Sequence, residues 1–458
     1  MQRPMNRRGF LQLGVNTLAS GSLLATLGGF ERALAAADTT GYRALVCIYL
    51  SGGNDAFNML VPRSTDAYDQ YSQSRGNLAV PRRQLLAINP QTSDGNQYGV
   101  HPSCKGLQTL FNNGNLAFVA NVGSLVRPVT RAEYLSGGAD LPLQLFSHED
   151  QTVQWLTGES NSAARRGWAG RIADLLATQG YSPKLSINIS IAGTNIWQSA
   201  GNIVPYVLNT DGAPELDLVR YGGPRADAML QILQQAGADA SLMTRQYAFS
   251  EARAIEINHQ ISEALASVPA FKTQFPSSDL GNQLQMVARL VAARGQLGAA
   301  RQIFFVGLGG FDTHSDQLNQ HPGLLQTLSD AAKAFYDATV EIGADQLVTT
   351  FTASEFGRTL TSNGDGSDHA WGSHHFAVGG AVHGQNIYGA MPNLTINGTQ
   401  SGASPNPDEV DFGRIIPTQA MDQYGATLAR WFGLSGSDLD TVFPNLGNFD
   451  RRDLGFVG

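Results

Sequence analysis

Long runs of apolar residues predict the buried strands of the chain. The run at 43–50 is apolar over most of its length and is followed by Ser-Gly-Gly, as expected for a strand that is covered on both faces and then enters a loop. Five further runs predict strands at 116–122, 187–191, 302–308, 347–351 and 378–382. Glycines cluster at several strand ends, so tight loops are expected there.

Apolar residues at helical spacing occupy much of the intervening sequence. They predict helices at 167–179, 248–267, 280–297, 324–342 and 417–431. Strands that alternate with helices indicate an α/β fold, here a doubly wound, mainly parallel sheet flanked by helices. Residues 200–300 lack strand patterns and predict a helical insertion, whereas the polar, turn-rich stretch 392–412 predicts a long surface loop.

The first 37 residues have the pattern of an export signal. Arg7 and Arg8 precede a weakly hydrophobic stretch rich in Gly, Ser and Thr, which ends in a small-residue cleavage site at 33–35. This pattern predicts a twin-arginine signal peptide; the polarity of the stretch disfavours the alternative, an N-terminal membrane anchor. Residues 38–458 are expected to form one domain without a stable membrane span, delivered by the twin-arginine export machinery to the periplasm or cell envelope.

Composition and charge argue against two classes of protein, those that bind nucleic acids and those that are disordered. The chain has 458 residues, 51 of them glycine, and a net charge of −8. The first 35 residues carry four arginines and one glutamate, so the remaining chain has a net charge of −11. An acidic chain without a basic tract argues against nucleic-acid binding, and a hydrophobic content of 42% argues against disorder.

The two cysteines leave two alternatives open. In an oxidising compartment Cys47 and Cys104 could form a disulfide. They could equally be buried free thiols, because nothing in the sequence places them together.

Candidate chemistry is concentrated directly after the predicted strands. Asp55 follows the first strand, Asp312 and His314 follow the strand at 302–308, and Glu355 follows the strand at 347–351. A nearby loop carries four more candidates: Asp368, His369, His374 and His375. Ligands of open α/β sheets bind beyond the carboxyl ends of the strands, so these side chains are expected to converge.

Carboxylate and imidazole side chains at one sheet edge predict a metal site. Such ligands suit zinc, manganese or iron, and carboxylates also suit magnesium or calcium. Asp312 and His314 are two residues apart and therefore point to the same side of an extended segment. For any one candidate a surface carboxylate or a structural histidine is the simpler interpretation. The convergence of three strand ends favours one or two divalent metal ions (zinc, manganese, magnesium or calcium).

Two further residues are candidates for catalysis itself. Ser147 precedes a helical stretch, where it would either cap the helix or act as a nucleophile activated by a nearby metal. Arg358 would either bind the oxygens of a phosphate or sulfate group or pair with Glu355 or another acid. His101 and His148 are additional candidates for the site.

Four motifs together resemble a known bacterial family. They are LSGGNDAFN at 50–58, GFDTH at 310–314, SEFGRT at 354–359 and DHAWGSHH at 368–375. In combination, and with the twin-arginine leader, they resemble the "domain of unknown function 1501" over nearly the whole exported chain. That family is grouped with the alkaline phosphatase and sulfatase superfamily. The grouping implies a doubly wound sheet with one or two divalent metals at the strand ends and activity on phosphate or sulfate esters.

The resemblance also implies roles for individual residues. Asp55 takes the place of the first superfamily aspartate, and Ser147 is a positional match for the nucleophile. Asp312 and His314 match the next ligand pair, although one residue separates them where phosphatases usually have three.

The later part of the pattern departs further from the superfamily. Glu355 stands where an Asp-His pair is expected, Asp368-His369 supplies such a pair off a loop, and His374 or His375 is the last ligand. The resulting expectation is a first metal on Asp312, His314 and His375, and a second on Asp55, Glu355 and His369.

Two functions from different classes follow. The first is an exported metal-dependent hydrolase or transferase of phosphate or sulfate esters, with an anionic small-molecule or polysaccharide substrate that Ser147 attacks and Arg358 holds. The second is a non-catalytic envelope protein that keeps the phosphatase-like fold and binds a polysaccharide or a partner. A redox enzyme is disfavoured, because no Gly-x-Gly-x-x-Gly turn follows the first strand and no cysteine cluster is present.

Overall fold

The computed structural model of the protein describes most of the chain after the predicted export signal. The described residues are 39–458 without 93, 161–163, 182, 184, 213–221, 238–240 and 399–404. The predicted signal at 1–37 lies outside them. None of the helices in the described part combines the length and the apolar character that a membrane crossing requires.

Strands and helices alternate along much of the chain. The strands are β1 (Arg43–Leu50), β2 (Leu60–Pro62), β3 (Leu86–Ile88), β4 (Tyr98–Val100), β5 (Leu116–Gly123), β6 (Asn188–Ser190), β7 (Tyr206–Val207), β8 (Arg301–Leu308), β9 (Val348–Ala353), β10 (Arg358–Ser362), β11 (Ser367–His369), β12 (Ser373–Val378), β13 (Asn386–Tyr388) and β14 (Gln419–Ala420). The helices are α1 (Ala56–Met59), α2 (Thr65–Arg75), α3 (Lys105–Asn112), α4 (Arg131–Ser136), α5 (His148–Thr157), α6 (Trp168–Thr178), α7 (Pro224–Gly237), α8 (Leu242–Ala266), α9 (Asp279–Ala292), α10 (Gln317–Glu341), α11 (Met421–Phe432) and α12 (Gly436–Val442).

A mixed sheet forms the centre of the fold. Its strands run in the order β13-β5-β12-β9-β1-β8-β6-β7, and β14 pairs with β5. The pairings are parallel except those of β12, which runs antiparallel to both β5 and β9. The predicted α/β class, with a mainly parallel sheet flanked by helices, is confirmed.

Helices cover both faces of the sheet, because its central strands are apolar on both sides. On one face Val46 and Ile48 pack in a core with α9 and α10, and on the other Leu45 and Cys47 pack with α6 and α11. Cys104 belongs to the first core, so the sheet separates the two cysteines, and both are free thiols. The free-thiol alternative is therefore the one that the structure bears out.

The predicted strand at 378–382 is wrong. The strand is β12, which ends at Val378, and the polar residues at its start hide its strand character in the sequence. Gly379 follows the strand directly, and the close approach of its backbone to β9 requires glycine, because a Cβ there would lie 2.6 Å from the carbonyl oxygen of Val348. The other five predicted strands are present within two residues of their expected bounds.

The predicted helices are present, with shifted ends. Helix α10 begins at Gln317, seven residues before the predicted start, and it contains Pro322. The region 200–300 holds α7, α8 and α9, together with the two-residue strand β7 that the sequence pattern does not indicate.

Asp422, in the first turn of α11, should make the stability of the protein depend on pH. Burial raises the pKa of its carboxyl group to about 7. Because this pKa is higher in the folded than in the unfolded chain, stability is fully present below pH 4 and is lost as the pH rises toward 7. We expect this residue to lower the free energy of unfolding by up to about 4 kcal/mol between pH 4 and pH 8. Asp422→Asn should remove this contribution to the pH dependence of the free energy of unfolding.

Denaturant unfolding between pH 4 and pH 8 measures the effect of Asp422→Asn. The matched control is Asp66→Asn, which changes an exposed aspartate in the first turn of α2. If the free energy of unfolding changes with pH equally in wild type and in Asp422→Asn, the prediction is contradicted.

Candidate metal centre

The carboxyl ends of β1, β8 and β9 meet at one edge of the sheet, and the antiparallel β12 begins there. The loop after β8 lies directly against the loop after β1. Gly52 permits this approach, because a Cβ at that position would overlap the amide nitrogen of Asp312. Its φ of 117° is also one that other residues rarely adopt. The glycine after the first strand therefore lets Asp312 occupy the sheet edge.

Four side chains converge above this edge, and we call His148, Asp312, His314 and His369 the His–Asp cluster. Oδ1 of Asp312 lies 3.1 Å from Nε2 of His314 and 3.4 Å from Nε2 of both His148 and His369. The potential ligand atoms of His148, Asp312 and His369 all lie within 4.8 Å of one another, and His314 adjoins two of these three. The four side chains keep between 23% and 48% of their surface exposed, so the cluster opens to solvent.

A hydrogen bond at Nδ1 orients each imidazole of the cluster. The acceptors for Nδ1 are Oε1 of Glu355 for His148 at 2.8 Å, Oδ1 of Asp368 for His314 at 3.0 Å, and the carbonyl oxygen of Phe146 for His369 at 2.7 Å. A carbonyl or carboxylate oxygen only accepts, so each Nδ1 carries a hydrogen, and in the neutral imidazole Nε2 keeps a lone pair. Such anchoring is typical of histidines that bind metals.

The Nε2 atoms of the cluster fit a bound cation. Nε2 of His314 lies 2.9 Å from Nε2 of His369, so two lone pairs face each other when both imidazoles are neutral. Nε2 of His148 is buried and has no hydrogen-bond partner among the described residues. A cation bound between these atoms would interact with the facing lone pairs and would give Nε2 of His148 a partner. Three imidazole nitrogens and one carboxylate oxygen form a donor set of the kind that zinc and other transition metals prefer.

Charges around the cluster keep Asp312 ionised. Partial burial would raise the pKa of Asp312, but the hydrogen bond and charge of Arg358, with the charges of the two nearby histidines, bring this pKa below its usual value. The hydrogen bond to Glu355 raises the pKa of His148, whereas partial burial lowers the pKa of His369. The carboxylate is therefore available to bind a cation at neutral pH.

Arg358 is fully buried behind the cluster. Its Nη2 pairs with Oδ1 of Asp312, and its nitrogens also donate to the carbonyl oxygens of Gly52, Gly53 and Ser367 at 2.6–3.0 Å. Every guanidinium nitrogen is thus engaged by the strand-end loops. This geometry favours the alternative of pairing with an acid over binding of a substrate anion, and it makes Arg358 a positioning residue for Asp312.

Sequence comparison shows the family of the chain. The family described as Protein of unknown function (DUF1501) matches residues 42–438. The chain belongs to this family. No curated protein matches its sequence.

Several solved structures resemble the DUF1501 chain at low identity. The C-terminal periplasmic domain of EcEptC from Escherichia coli is 10% identical, with a TM-score of 0.37 over 92% of this chain and 88% of that one. The zinc complex of that domain is 10% identical, with a TM-score of 0.31 over 75% and 74%. The PsFucS1 sulfatase from Pseudoalteromonas sp. is 8% identical, with a TM-score of 0.32 over 77% and 65%. Similarity at this level concerns the fold alone.

Two predicted ligands of the DUF1501 chain contact the Nδ1 atoms of cluster histidines. Glu355 is 2% exposed, and its Oε1 also accepts a hydrogen bond from the amide of Gly52 at 2.8 Å. Asp368 faces His314 and also accepts a hydrogen bond from Asn363 at 3.1 Å. Both carboxylates therefore orient imidazoles that could bind a metal.

Glu355→Gln tests this placement. The amide oxygen can still accept the Nδ1 hydrogen of His148, but the negative charge that strengthens this bond is lost. We expect metal affinity to fall by about 10- to 100-fold with the metal content at saturation unchanged. Chelator competition measures the affinity, and Glu256→Gln, on the exposed surface of α8, is the control. Unchanged affinity would contradict the placement, and loss of the ion even at saturation would make Glu355 a direct ligand.

Asp55 is fully buried in a separate polar network. It pairs with the buried Arg75 and accepts a hydrogen bond from Gln317. Burial raises the pKa of Asp55 despite these partners. The expected second metal on Asp55, Glu355 and His369 is not assembled, because Arg75 already supplies the cation beside Asp55. Within the described residues, the group of three that includes His369 is the one with metal-binding geometry.

His374 and His375 lie in the core instead of the cluster. Neighbouring strand residues point to opposite faces, so His374 packs edge-on against Phe57 while His375 packs against Trp155. Burial lowers the pKa of both imidazoles to about 3, which keeps them neutral. His375 was expected beside Asp312 and His314, but the structure places His148 there instead.

Ser147 caps the start of α5. Its Oγ accepts a hydrogen bond from the amide of Asp150 and donates one to Oδ2 of the same residue at 2.6 Å. This cap fixes the direction of the first helical turn, from which His148 reaches the cluster. The histidine next to Ser147 is the site residue that the sequence pattern undervalues.

Proposed function

We propose that this DUF1501 chain is a metal-dependent hydrolase or transferase of phosphate or sulfate esters, exported to the periplasm or cell envelope. The observation that carries the proposal is the His–Asp cluster, in which anchored imidazoles direct Nε2 toward the same carboxylate oxygen at a solvent-open point. Its imidazole nitrogens favour zinc or iron over magnesium and calcium, which prefer oxygen.

The residues of the cluster would hold one metal ion. His148, Asp312 and His369 are the three direct ligands, and His314 is the fourth candidate. A divalent cation bound there supplies Lewis acidity toward an ester oxygen and stabilises the negative charge that develops during transfer. Arg358 keeps Asp312 in position from behind.

Ser147 is the proposed nucleophile. It directly precedes a cluster histidine, and its hydroxyl donates to Oδ2 of Asp150 at 2.6 Å. That carboxylate can accept the hydroxyl proton as Oγ attacks the phosphorus or sulfur of the ester, and the bond to the alcohol breaks as the alcohol leaves. Water or an acceptor hydroxyl then releases the transferred group from Oγ, so the cap geometry and a nucleophilic role are compatible.

Turnover of generic esters tests the proposal. The purified protein, loaded with zinc or manganese, is expected to release 4-nitrophenol from 4-nitrophenyl phosphate or 4-nitrophenyl sulfate. Asp312→Asn and His314→Ala should lose this activity with the fold intact, and Ser147→Ala should lose it while keeping the metal. Wild-type protein that binds its metal but turns over neither ester would overturn the proposal in favour of a non-catalytic envelope binding protein.

A further inference from the structure

Arg414 lies beside the His–Asp cluster with most of its guanidinium uncommitted. Its Nε donates to the carbonyl oxygen of His369 at 3.2 Å. Within the described residues, its two Nη groups make no hydrogen bond, and Nη1 lies 4.0 Å from Oδ2 of Asp411, its ion-pair partner. Arg414 thus differs from the fully engaged Arg358.

Two aromatic rings flank this guanidinium. Cζ of Arg414 lies 4.6 Å from the ring centroid of Phe146 and 5.8 Å from that of Phe412. Both phenylalanines have a positive φ, 73° and 50° respectively, which is uncommon for bulky residues and concentrated at functional sites. Phe146 also anchors His369 through its carbonyl oxygen, so the same residue orients a cluster imidazole and supports the arginine.

The loop that carries Arg414 is held firmly by the fold. Glu409 is buried and accepts a hydrogen bond from the amide of Gly413 at 2.9 Å. The carbonyl oxygen of Gly413 in turn accepts the amide of Leu360 on β10 at 3.0 Å. The backbone position of the arginine is therefore set by buried contacts.

We propose that Arg414, supported by Phe146 and Phe412, forms the subsite for the tetrahedral oxyanion of the substrate, a phosphate or a sulfate group. This inference rests on the proposed function. A planar guanidinium whose Nη groups make no hydrogen bond to the described part of the chain offers paired donors that match such an anion. It also supplies positive charge beside the His–Asp cluster of a negatively charged chain, where every nitrogen of the Arg358 guanidinium is already engaged.

Binding of inorganic phosphate and of inorganic sulfate to the metal-loaded protein, followed by calorimetry, tests the subsite. Arg414→Gln is expected to weaken binding on the order of 10- to 100-fold with metal content unchanged. Arg414→Lys keeps the charge without the planar donor pair and should show an intermediate loss. Arg430→Gln is the matched control, because Arg430 is an exposed arginine paired with Asp453 near the end of α11. The tighter-binding anion indicates the ester class.

Each remaining outcome decides the question. If wild type binds neither anion, or if Arg414→Gln binds both as wild type does, the subsite is overturned while the metal centre stands. If Arg414→Gln loses the metal together with the anion, Arg414 positions His369 and the subsite is again overturned. If the wild-type protein holds no metal, the proposed function fails, and anion titration of the metal-free proteins decides the subsite by the same comparison.

Discussion

His148→Ala is expected to abolish stoichiometric metal binding. Nε2 of His148 is the enclosed nitrogen of the cluster, and Glu355 fixes its direction through Nδ1. Loss of a partner that merely orients a ligand already costs about 10- to 100-fold in affinity, so loss of the ligand itself should exceed about 100-fold. Elemental analysis after equilibration with a weak chelator measures the retained ion.

Two variants control for this result. His259→Ala removes an exposed imidazole on α8 and should keep the full metal content. Ser147→Ala removes the cap of α5, which should cost about 1 kcal/mol of stability without releasing the ion. His148→Ala that retains metal with wild-type affinity would exclude His148 as a ligand.

Arg75→Met is expected to lower the free energy of unfolding by about 3–5 kcal/mol. Arg75 and Asp55 are both fully buried, and the guanidinium also donates to the carbonyl oxygen of Thr359 at 2.6 Å. Removal of the arginine leaves Asp55 as an uncompensated buried carboxylate, whose pKa burial already raises. Denaturant titration of the variant and of wild type measures the loss.

The double variant Asp55→Asn/Arg75→Met separates the charge from the packing. Because it removes both charges, it should recover a substantial part of the stability lost in Arg75→Met. Arg127→Met, which breaks a partly exposed ion pair with Glu133, should change stability far less than Arg75→Met does. If Arg75→Met lowers the free energy of unfolding by less than about 1 kcal/mol, the buried ion pair between Arg75 and Asp55 does not stabilise the fold as proposed.

The sequence predicts the sheet well because its central strands are buried on both faces and therefore stand out as apolar runs. The same reasoning fails for β12, whose first three residues are Ser373, His374 and His375, so that it has no continuous apolar run. Strand-end reasoning places Asp312, His314 and His369 in one cluster, as the structure does, because parallel strands deliver their following loops to one edge. His148 reaches that edge from a helix start, through tertiary packing that periodicity does not encode.

Residue type alone does not distinguish a side chain that could bind the metal from one that orients a metal-binding histidine. Glu355 and Asp368 are predicted at the right edge of the sheet, but the structure directs them to the Nδ1 atoms of histidines. Asp55 has the expected position after the first strand, yet its partner Arg75 comes from α2, and no local sequence pattern connects the two. These differences arise from side-chain geometry, which only the folded chain specifies.

The metal content of the wild-type protein tests the central claim most directly. After reconstitution with zinc or manganese and removal of loosely bound ions, elemental analysis is expected to find one ion per chain, held by the His–Asp cluster. One ion is expected because Arg75 occupies the place of a second cation beside Asp55. A content of zero would contradict the metal centre, and a content of two would contradict the single-ion arrangement.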